Sequence, residues 1–280
     1  MKNFIHTTLA ILFLVTLSSC GAKKKETPAK LGWKIGVQAY TFRDFTFFQA
    51  VKKVKNLGLH YIEAWPGQKI GGGIDGKMAY TMSATKKEKI RDFLNKNGVH
   101  MMAYGVLTPK TEKEWKQIFD FARDMGVKNI TAEPLRNQMS YVSHLCDMYG
   151  INVAIHNHPQ PSQYWNPDTL LDAIQGQGPH IGACADIGHW VRSGLNPLKS
   201  IKKLNGHIIQ LHFKDVTSTR PQAKDTVWGD GVIDIPGILQ ELKKQNFKGL
   251  ISIEYESNPK NNVPDIKKSL QYFDKQVAKL

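Results

Sequence analysis

The sequence predicts a fold of the α/β class, a single (β/α)8 TIM barrel. Short β-rich apolar runs alternate with longer stretches of helical spacing, and eight such units follow one another along the chain. Together they occupy about 250 residues, the usual size of this barrel. A doubly wound open sheet is the alternative, but no Gly-x-Gly-x-x-Gly turn follows the first strand. The eight units therefore favour a closed barrel.

Each unit begins with a predicted strand. The eight strands are predicted at residues 34–40, 60–65, 99–104, 128–132, 151–155, 180–185, 207–211 and 249–253. The glycine-rich residues 71–76 follow the second strand as a loop. Ser83 is the predicted N-cap of the next helix, which ends at Gly98, and the two helices after it end at Gly126 and Gly150. Strand and helix alternate throughout, as parallel strands with right-handed crossovers require.

Residues 1–20 are predicted to be a lipoprotein signal peptide. A positive start and a short apolar run lead to Leu17-Ser-Ser-Cys20, which resembles the lipobox whose cysteine is lipidated. Residues 21–32 are predicted to be a flexible tether, and residues 33–280 the barrel. We therefore expect an exported periplasmic or cell-envelope lipoprotein that meets the membrane only through a lipid on Cys20. An ordinary signal peptide with an incidental cysteine is the alternative.

The formal net charge of +14 does not indicate a nucleic-acid partner. Five lysines lie in the leader and tether against one glutamate, and the remaining excess is spread as isolated lysines, which is typical of a solvated surface. Cys146 and Cys184 lie in a helical and a strand pattern, and we predict two buried thiols rather than a disulfide. The sequence leaves the oligomeric state open.

Ionisable residues follow at least five of the predicted strands. In this fold the carboxyl ends of the strands meet at one mouth, where active sites lie. Carboxylates that converge there repel one another unless they are protonated or bind a cation, so we predict a divalent metal. Mixed carboxylate and histidine ligation suits Mn, Zn, Fe or Co better than Ca. The ionisable residues at these ends are Glu63, Glu133, His156, His158, Asp186, His189, His212, Lys214 and Glu254.

Several residues near the mouth are expected to contact the substrate. Glu63 could bind substrate hydroxyls or the metal, and the sequence favours the two roles equally. His189 suits three roles, namely metal ligand, substrate contact and orienting residue. Tyr104 and Trp190 suit either the core or an apolar wall of a sugar site. The predicted substrate contacts are Gln38, Tyr40, Glu63, Tyr104, His189 and Trp190.

Four motifs resemble the xylose isomerase-like TIM-barrel superfamily and stand in the order that this group shows. They are Asp186-Ile-Gly-His189, His212-Phe-Lys-Asp215, Gly229-Asp-Gly231 and Ile253-Glu254. The group includes sugar (phosphate) isomerases and epimerases, inosose dehydratase and endonuclease IV. The resemblance covers essentially the whole predicted barrel. It implies a metal-dependent enzyme that acts on a small carbohydrate.

The resemblance also implies the metal ligands, one after each of strands five to eight. Asp186, His212 and Glu254 match the family's pattern. The strand-five position departs from it, because His156 stands where the family has a glutamate. Either His156 replaces that ligand or Glu133 from the neighbouring strand takes its place. The departure also argues against an epimerisation that uses two glutamates as acid and base.

The implied chemistry is removal of a proton beside a carbonyl group that the metal polarises. His158 or His156 suits the base, because imidazole titrates near neutral pH. Glu254 could act as a metal ligand, as the base or as both. Lys214 could neutralise the negative charge that develops on the substrate oxygen. An exported enzyme does not normally meet sugar phosphates, so we expect a free keto-sugar or a keto-glycoside. Isomerisation and β-elimination are equally favoured.

Two other functions are alternatives. An endonuclease IV-like metal hydrolase needs further histidines, yet the stretch that carries an Asp-x-His in those enzymes is Asp225-Thr-Val-Trp228 here. A lipid-anchored sugar-binding protein on a degenerate barrel would not need Asp186, His212 and Glu254 together. Both alternatives are therefore less favoured than the enzyme.

Overall fold

A closed barrel of eight parallel strands is the centre of the structure, a computed structural model that describes residues 25–280. The strands are β1 (Lys34–Gln38), β2 (Tyr61–Ala64), β3 (Lys69–Gly71), β4 (Ile74–Lys77), β5 (His100–Leu107), β6 (Asn129–Ala132), β7 (Asn152–His156), β8 (Ile181–Asp186), β9 (Ile208–Phe213), β10 (Asp215–Val216), β11 (Asp225–Thr226) and β12 (Leu250–Ile253). The barrel order is β1-β12-β9-β8-β7-β6-β5-β2, and β2 pairs with β1 to close it. The predicted (β/α)8 barrel is confirmed.

Helices connect the barrel strands and pack through apolar faces. Helix α2, for example, buries Phe47, Val51 and Val54 on one side. The helices are α1 (Pro28–Leu31), α2 (Phe47–Asn56), α3 (Ala84–Asn97), α4 (Glu112–Met125), α5 (Met139–Tyr149), α6 (Pro167–Ile174), α7 (Ile187–Arg192), α8 (Pro197–Lys203), α9 (Ile235–Lys244) and α10 (Val263–Val277).

The predicted helix ends are confirmed. Ser83 caps α3 by accepting a hydrogen bond from the backbone N–H of Lys86. Gly98, Gly126 and Gly150 follow α3, α4 and α5 with positive φ angles between 63° and 71°. Glycine adopts this left-handed conformation without the steric cost that a Cβ atom would add. Each glycine therefore ends its helix for the reason that the sequence indicated.

Cys146 and Cys184 are both buried and neither forms a disulfide within the described residues. Cys146 lies on α5, and Cys184 lies on β8 inside the barrel wall. Burial raises the pKa of the Cys184 thiol to about 11 and that of Cys146 to about 12, which disfavours reactive thiolates. The prediction of two buried thiols is confirmed.

Two segments that the sequence assigned to loops form regular structure. Residues 28–31 of the predicted tether form helix α1, because Thr27 caps this helix, Pro28 begins it and Gly32 ends it. The glycine-rich loop contains the β3–β4 hairpin, whose two turn residues, Gly72 and Gly73, both have positive φ angles. In both segments the capping residues and the turn glycines determine the local structure, although the composition is polar.

The predicted signal peptide and the Cys20 anchor lie outside the described residues. Within residues 25–280, no helix combines the length and the apolar character that crossing a bilayer requires.

Strand register places the candidate site residues at one end of the barrel. Asp186 at the end of β8 pairs in register with His212 on β9. His156 ends β7 beside Cys184 on β8. The backbone N–H of Glu254, just after β12, donates to the carbonyl of Phe213 on β9. The carboxyl ends of β7, β8, β9 and β12 therefore meet at the same mouth.

Candidate active site

Four side chains converge at this mouth with geometry suited to a metal ion. They are His156, Asp186, His212 and Glu254, all buried, and one ligand atom from each lies within 4.8 Å of the others. His156 Nε2 is 3.6 Å from Asp186 Oδ2, and His212 Nδ1 is 3.1 Å from Glu254 Oε2. Of the two alternatives for the strand-five position, the structure brings His156 into this group. Glu133 belongs to a neighbouring group instead.

Within the described residues, no contact with hydrogen-bond geometry is made by either ring nitrogen of His156, by Asp186 Oδ2, by His212 Nδ1 or by Glu254 Oε2. The two carboxylate oxygens form ion pairs with Lys214 Nζ, at 3.0 and 2.9 Å. A buried polar atom without a partner costs about 1–3 kcal/mol, so several in one place need a common explanation. Two imidazoles and two carboxylates form a ligand set that suits Mn, Zn, Fe or Co. The residues therefore fit a divalent cation.

Glu63 orients one of these ligands from behind. Its carboxylate accepts a hydrogen bond from His212 Nε2 at 2.9 Å, from Thr131 Oγ1 at 2.6 Å and from Gln210 Nε2 at 3.0 Å. A proton held on Nε2 leaves the lone pair of Nδ1 for a metal. Glu63 is fully buried, so the prediction that it binds substrate hydroxyls is wrong. The partners from β6 and β9 could not be read from the sequence of β2.

Substitution Glu63→Gln is expected to weaken metal binding by about 10–100-fold, the usual effect of removing an outer-shell carboxylate. The amide oxygen of the glutamine can still accept the hydrogen bond from His212. Its NH2 group then faces Gln210 Nε2 or Thr131 Oγ1, and two donors face each other. Metal affinity measured by calorimetry tests this expectation, with Glu88→Gln on an exposed position of α3 as the control. Equal affinities for the two variants would contradict the orienting role.

Asp186 divides its two carboxylate oxygens between fold and site. Oδ1 accepts the backbone N–H of His189 at 2.7 Å and so caps α7. The carbonyl and N–H of Asp186 are both held by the side chain of Asn157, at 2.9 and 2.8 Å. Oδ2 is the oxygen that remains for the cation. An aspartate at a strand end followed at once by a helix explains this geometry.

Lys214 is a buried cation beside the converging carboxylates. Its Nζ lies 3.0 Å from Asp186 Oδ2, 2.9 Å from Glu254 Oε2 and 3.1 Å from Glu256 Oε1. Burial disfavours the ammonium form, but these carboxylates outweigh burial and raise the pKa of Lys214 well above its usual value. Gly188 admits the side chain, because a Cβ there would lie 2.5 Å from Lys214 Cγ and Cδ.

This burial changes the role predicted for Lys214. The side chain is fully enclosed and does not line the cleft described next. The prediction that it neutralises charge on the substrate directly is therefore wrong. It neutralises the ligand carboxylates instead, and the sequence could not show its depth because lysine usually lies at the surface.

Asp215, the last residue of the His-Phe-Lys-Asp motif, holds the loop that contains residues 229–233. It accepts backbone N–H groups from Gly229 at 2.9 Å, Gly231 at 3.1 Å and Ile233 at 3.1 Å. A Cβ on Gly231 would lie 2.2 Å from Asp215 Oδ1, so glycine is needed for this close approach. The two motifs found in the sequence thus form one structural unit.

A cleft of about 360 Å³ opens above the converging ligands. Tyr40 and Trp65 form an aromatic wall, with ring centroids 5.3 Å apart in an edge-to-face arrangement. The predicted contacts Gln38 and Tyr40 line this cleft. Trp65 was missed, although an aromatic residue directly after the end of β2 is a signal that could have found it. Further lining residues are Pro66, Gly105, Val106, His158, His189, Glu254 and Glu256.

Tyr104 and Trp190 do not line the cleft. Tyr104 is fully buried against Phe121, with ring centroids 4.6 Å apart, and only 1% of the Trp190 surface is exposed. The structure therefore corrects the prediction that they form an apolar wall of a sugar site, because they belong to the hydrophobic core. Strand and helix periodicity could not decide between these two environments.

His158 is positioned as a base at the edge of the cleft. Its Nδ1 contacts Glu133 Oε1, and Ser162 Oγ donates to Glu133 Oε2 at 3.0 Å. Burial opposes ionisation of Glu133, but its contacts with His156 and His158 outweigh burial and hold the pKa of this carboxyl well below its usual value. A carboxylate at Nδ1 favours the tautomer whose proton is on Nδ1. The lone pair of Nε2 is then available to a substrate.

His189 is arranged as a donor. Its Nδ1 accepts from Arg192 Nη1 at 3.1 Å, and Arg192 Nη2 is held by Asp225 Oδ1 at 2.5 Å. Burial lowers the pKa of His189 well below its usual value, so the ring is neutral with its proton on Nε2. Of its three open roles, this tautomer favours a hydrogen bond to the substrate, because a protonated nitrogen cannot bind a metal.

A family model described as xylose isomerase-like TIM barrel matches residues 51–276. The rhizopine catabolism protein MocC of Rhizobium meliloti is 27% identical over 132 residues, 41% of this chain and 40% of that protein. An inosose dehydratase of Clostridium beijerinckii is 22% identical over 277 positions, 82% of this chain and 88% of that protein. The chain thus spans less than half of the first relative and most of the second.

Solved structures agree with these sequence matches. An uncharacterized protein from Parabacteroides distasonis is 36% identical, covers 87% of this chain and 99% of its own, and superposes with a TM-score of 0.72. The IOLI protein, solved with a binding zinc atom, is 16% identical with a TM-score of 0.70, over 88% of this chain and 98% of its own. The second likeness concerns the fold alone.

Proposed function

Because this chain belongs to the xylose isomerase-like TIM-barrel family, we propose that it is a divalent-metal-dependent enzyme that removes a proton beside the carbonyl group of a non-phosphorylated keto-sugar or keto-glycoside. The observation that carries this proposal is the convergence of four buried ligand atoms, none with hydrogen-bond geometry among the described residues, below a cleft that His158 lines. Metal ligands and a candidate base beside one cleft are the elements that this chemistry needs.

A cation held by His156, Asp186, His212 and Glu254 would supply Lewis-acid stabilisation of the charge that develops on a substrate carbonyl. His158 Nε2 accepts the proton from the neighbouring carbon, while Glu133 holds Nδ1. General base catalysis of this kind contributes roughly 10²–10⁴-fold. His189 Nε2–H donates to a substrate oxygen and fixes the orientation of the sugar. The Tyr40–Trp65 wall covers the apolar face of the ring.

The fate of the proton separates two reactions. Its return to the adjacent carbon is an isomerisation, and loss of a leaving group from the next carbon is a β-elimination. Relatives that are named inosose dehydratase favour elimination. The histidine in place of the family's second glutamate favours it too, because elimination does not need carboxylates on both faces of one carbon.

The cleft lining supports a substrate without phosphate. Among the described residues that line it there is no lysine or arginine, whereas Glu254 and Glu256 place negative charge there. A phosphate group is bound by cations or by clustered backbone N–H groups, and carboxylates repel it. Zinc in the IOLI structure supports a metal in the equivalent fold, and Mn, Fe and Co suit the same ligands.

Location is a separate proposal. We propose that the enzyme works in the cell envelope, anchored by a lipid on Cys20, which becomes the N-terminus after removal of residues 1–19. Substitution Cys20→Ala should then release the chain from the membrane fraction in a cell that processes lipoproteins. Retention of the variant in the membrane would contradict the anchor.

Proton NMR of the Mn-loaded or Zn-loaded protein in deuterated water tests the reaction. The substrates are 3-keto-glucosides and simple ketoses, and the metal-free protein is the control. Release of the aglycone from a keto-glucoside would establish a lyase. Deuterium incorporation with a rearranged sugar would establish an isomerase. No change in any sugar, while metal is bound, would show that the substrate class is wrong.

Substitution Trp65→Leu is expected to raise KM about fivefold and to change kcat much less. The aromatic face contributes binding of roughly 1 kcal/mol to a sugar ring but does not touch the proton that moves. Steady-state kinetics would measure both constants. Trp165→Leu, at a half-buried tryptophan outside the cleft lining, is the matched control. A fall in kcat with unchanged KM would contradict the role of a wall.

A further inference from the structure

Each ring nitrogen of His156 lies near a carboxylate oxygen but too far from it for a hydrogen bond. Nε2 is 3.6 Å from Asp186 Oδ2, and Nδ1 is 3.7 Å from Glu133 Oε1. Neither nitrogen has a hydrogen-bond partner among the described residues, although only 1% of the side chain is exposed. These separations exceed a hydrogen bond. They match two ligands across one first-row cation, whose bonds of about 2.0–2.2 Å place ligand atoms roughly 3–4 Å apart.

The Nδ1 side holds a complete ligand set of its own. Glu133, His156 and His158 each offer one atom, and these atoms lie within 4.8 Å of one another. Two imidazoles and one glutamate are a ligand set found in catalytic zinc sites. Ser162 Oγ donates to Glu133 Oε2 and fixes the carboxylate, as outer-shell donors do in metal sites. Side-chain exposure of 48% at His158 provides an entry path from solvent.

We propose that Glu133, His156 Nδ1 and His158 Nδ1 form a second divalent-cation site that shares the ring of His156 with the four-ligand site. A cation there displaces the Nδ1 proton of His156 to solvent, whereas the Nδ1 proton of His158 moves to Nε2 and that ring stays neutral. Because His156 would then bind a cation through both nitrogens, the second cation binds more weakly than the first. The direct contact between Glu133 and His158 has to open, which the exposed position of His158 permits.

The second site would inhibit the enzyme, an inference that rests on the proposed function. With a cation on Nδ1 of His158, the one ring proton must lie on Nε2. His158 lines the cleft, and a protonated Nε2 can no longer accept a proton from a substrate there. Activity should therefore rise with the first equivalent of metal and fall as the second site fills.

Metal stoichiometry tests the site without any substrate. The metal-free chain is titrated with Co²⁺, followed by visible absorption, and equilibrium dialysis with metal analysis counts the bound ions. We expect two ions per chain in two steps for the natural sequence. Glu133→Gln and His158→Gln should each bind one ion and keep the tighter step. Glu88→Gln, an exposed neutralisation on α3, should still bind two.

Either of two results would overturn the second site: saturation of the natural sequence at one ion, or two ions in both site variants. The two variants guard against misfolding, because His158 is half-exposed and its replacement leaves the core intact. If two ions bind but no sugar reacts, the second site stands and the proposed function fails. If sugars react but the chain binds one ion only, the proposed function stands alone.

Discussion

Asp186→Asn is expected to remove metal binding while the barrel remains folded. The asparagine keeps an oxygen at the Oδ1 position, where it can still accept the N–H of His189 and cap α7. It replaces Oδ2, the oxygen that lies 3.6 Å from His156 Nε2, with an amide nitrogen that a cation does not bind well. The change therefore separates the structural use of this residue from its chemical use.

The loss of activity should be about 10³-fold or more, since Lewis-acid stabilisation of several kcal/mol would disappear. Metal analysis after dialysis and single-turnover kinetics measure the two effects, and circular dichroism checks the fold. Asp172→Asn is the control, at a carboxylate on α6 whose side chain is 65% exposed. Full metal content in Asp186→Asn would contradict the four-ligand site.

Lys214→Met is expected to destabilise the metal-free protein by about 3–5 kcal/mol, as removal of one partner from a buried ion pair usually does. The ammonium is the cation nearest to Asp186 Oδ2 and Glu254 Oε2, and without it both buried carboxylates lose their neutralising charge. A divalent cation between the same oxygens would restore that charge. The metal-loaded variant should therefore lose much less stability.

Linkage then requires tighter metal binding by the variant, because anything that binds only the folded state adds to its stability. Urea unfolding in the presence of a chelator and of saturating metal measures both stabilities. Lys113→Met, at an exposed position of α4, is the matched control. Equal losses with and without metal would show that Lys214 and the cation do not share the carboxylates.

Much of the active site follows from a rule about folds. Residues at the carboxyl ends of barrel strands meet at one mouth, and Asp186, His212 and Glu254 could be assigned to it from the chain order alone. His156 was an open alternative, because it stands where the resembling family has a glutamate and Glu133 on the neighbouring strand could serve instead. The register of β7 against β8 decided in its favour.

Residues whose role depends on depth could not be predicted in the same way. From the sequence, Glu63 and Lys214 were expected to contact the substrate at the mouth. In the structure each side chain is buried and contacts residues from other strands. Tyr104 and Trp190 show the opposite case, since aromatic residues near a mouth can fill the core as well as a cleft. The position of Trp65 after β2 indicates a place near the mouth, but only the structure shows that it forms a wall with Tyr40.

The sequence by itself determined the eight strand–helix units, the helix ends and the set of ionisable residues at the strand ends, because periodicity, capping and the position of polar residues are local properties. Only the tertiary structure decided which of these residues share a cation, which ones orient the ligands and which ones face the cleft. Those assignments depend on distances between strands that are far apart in the chain. Barrel closure and strand register set these distances.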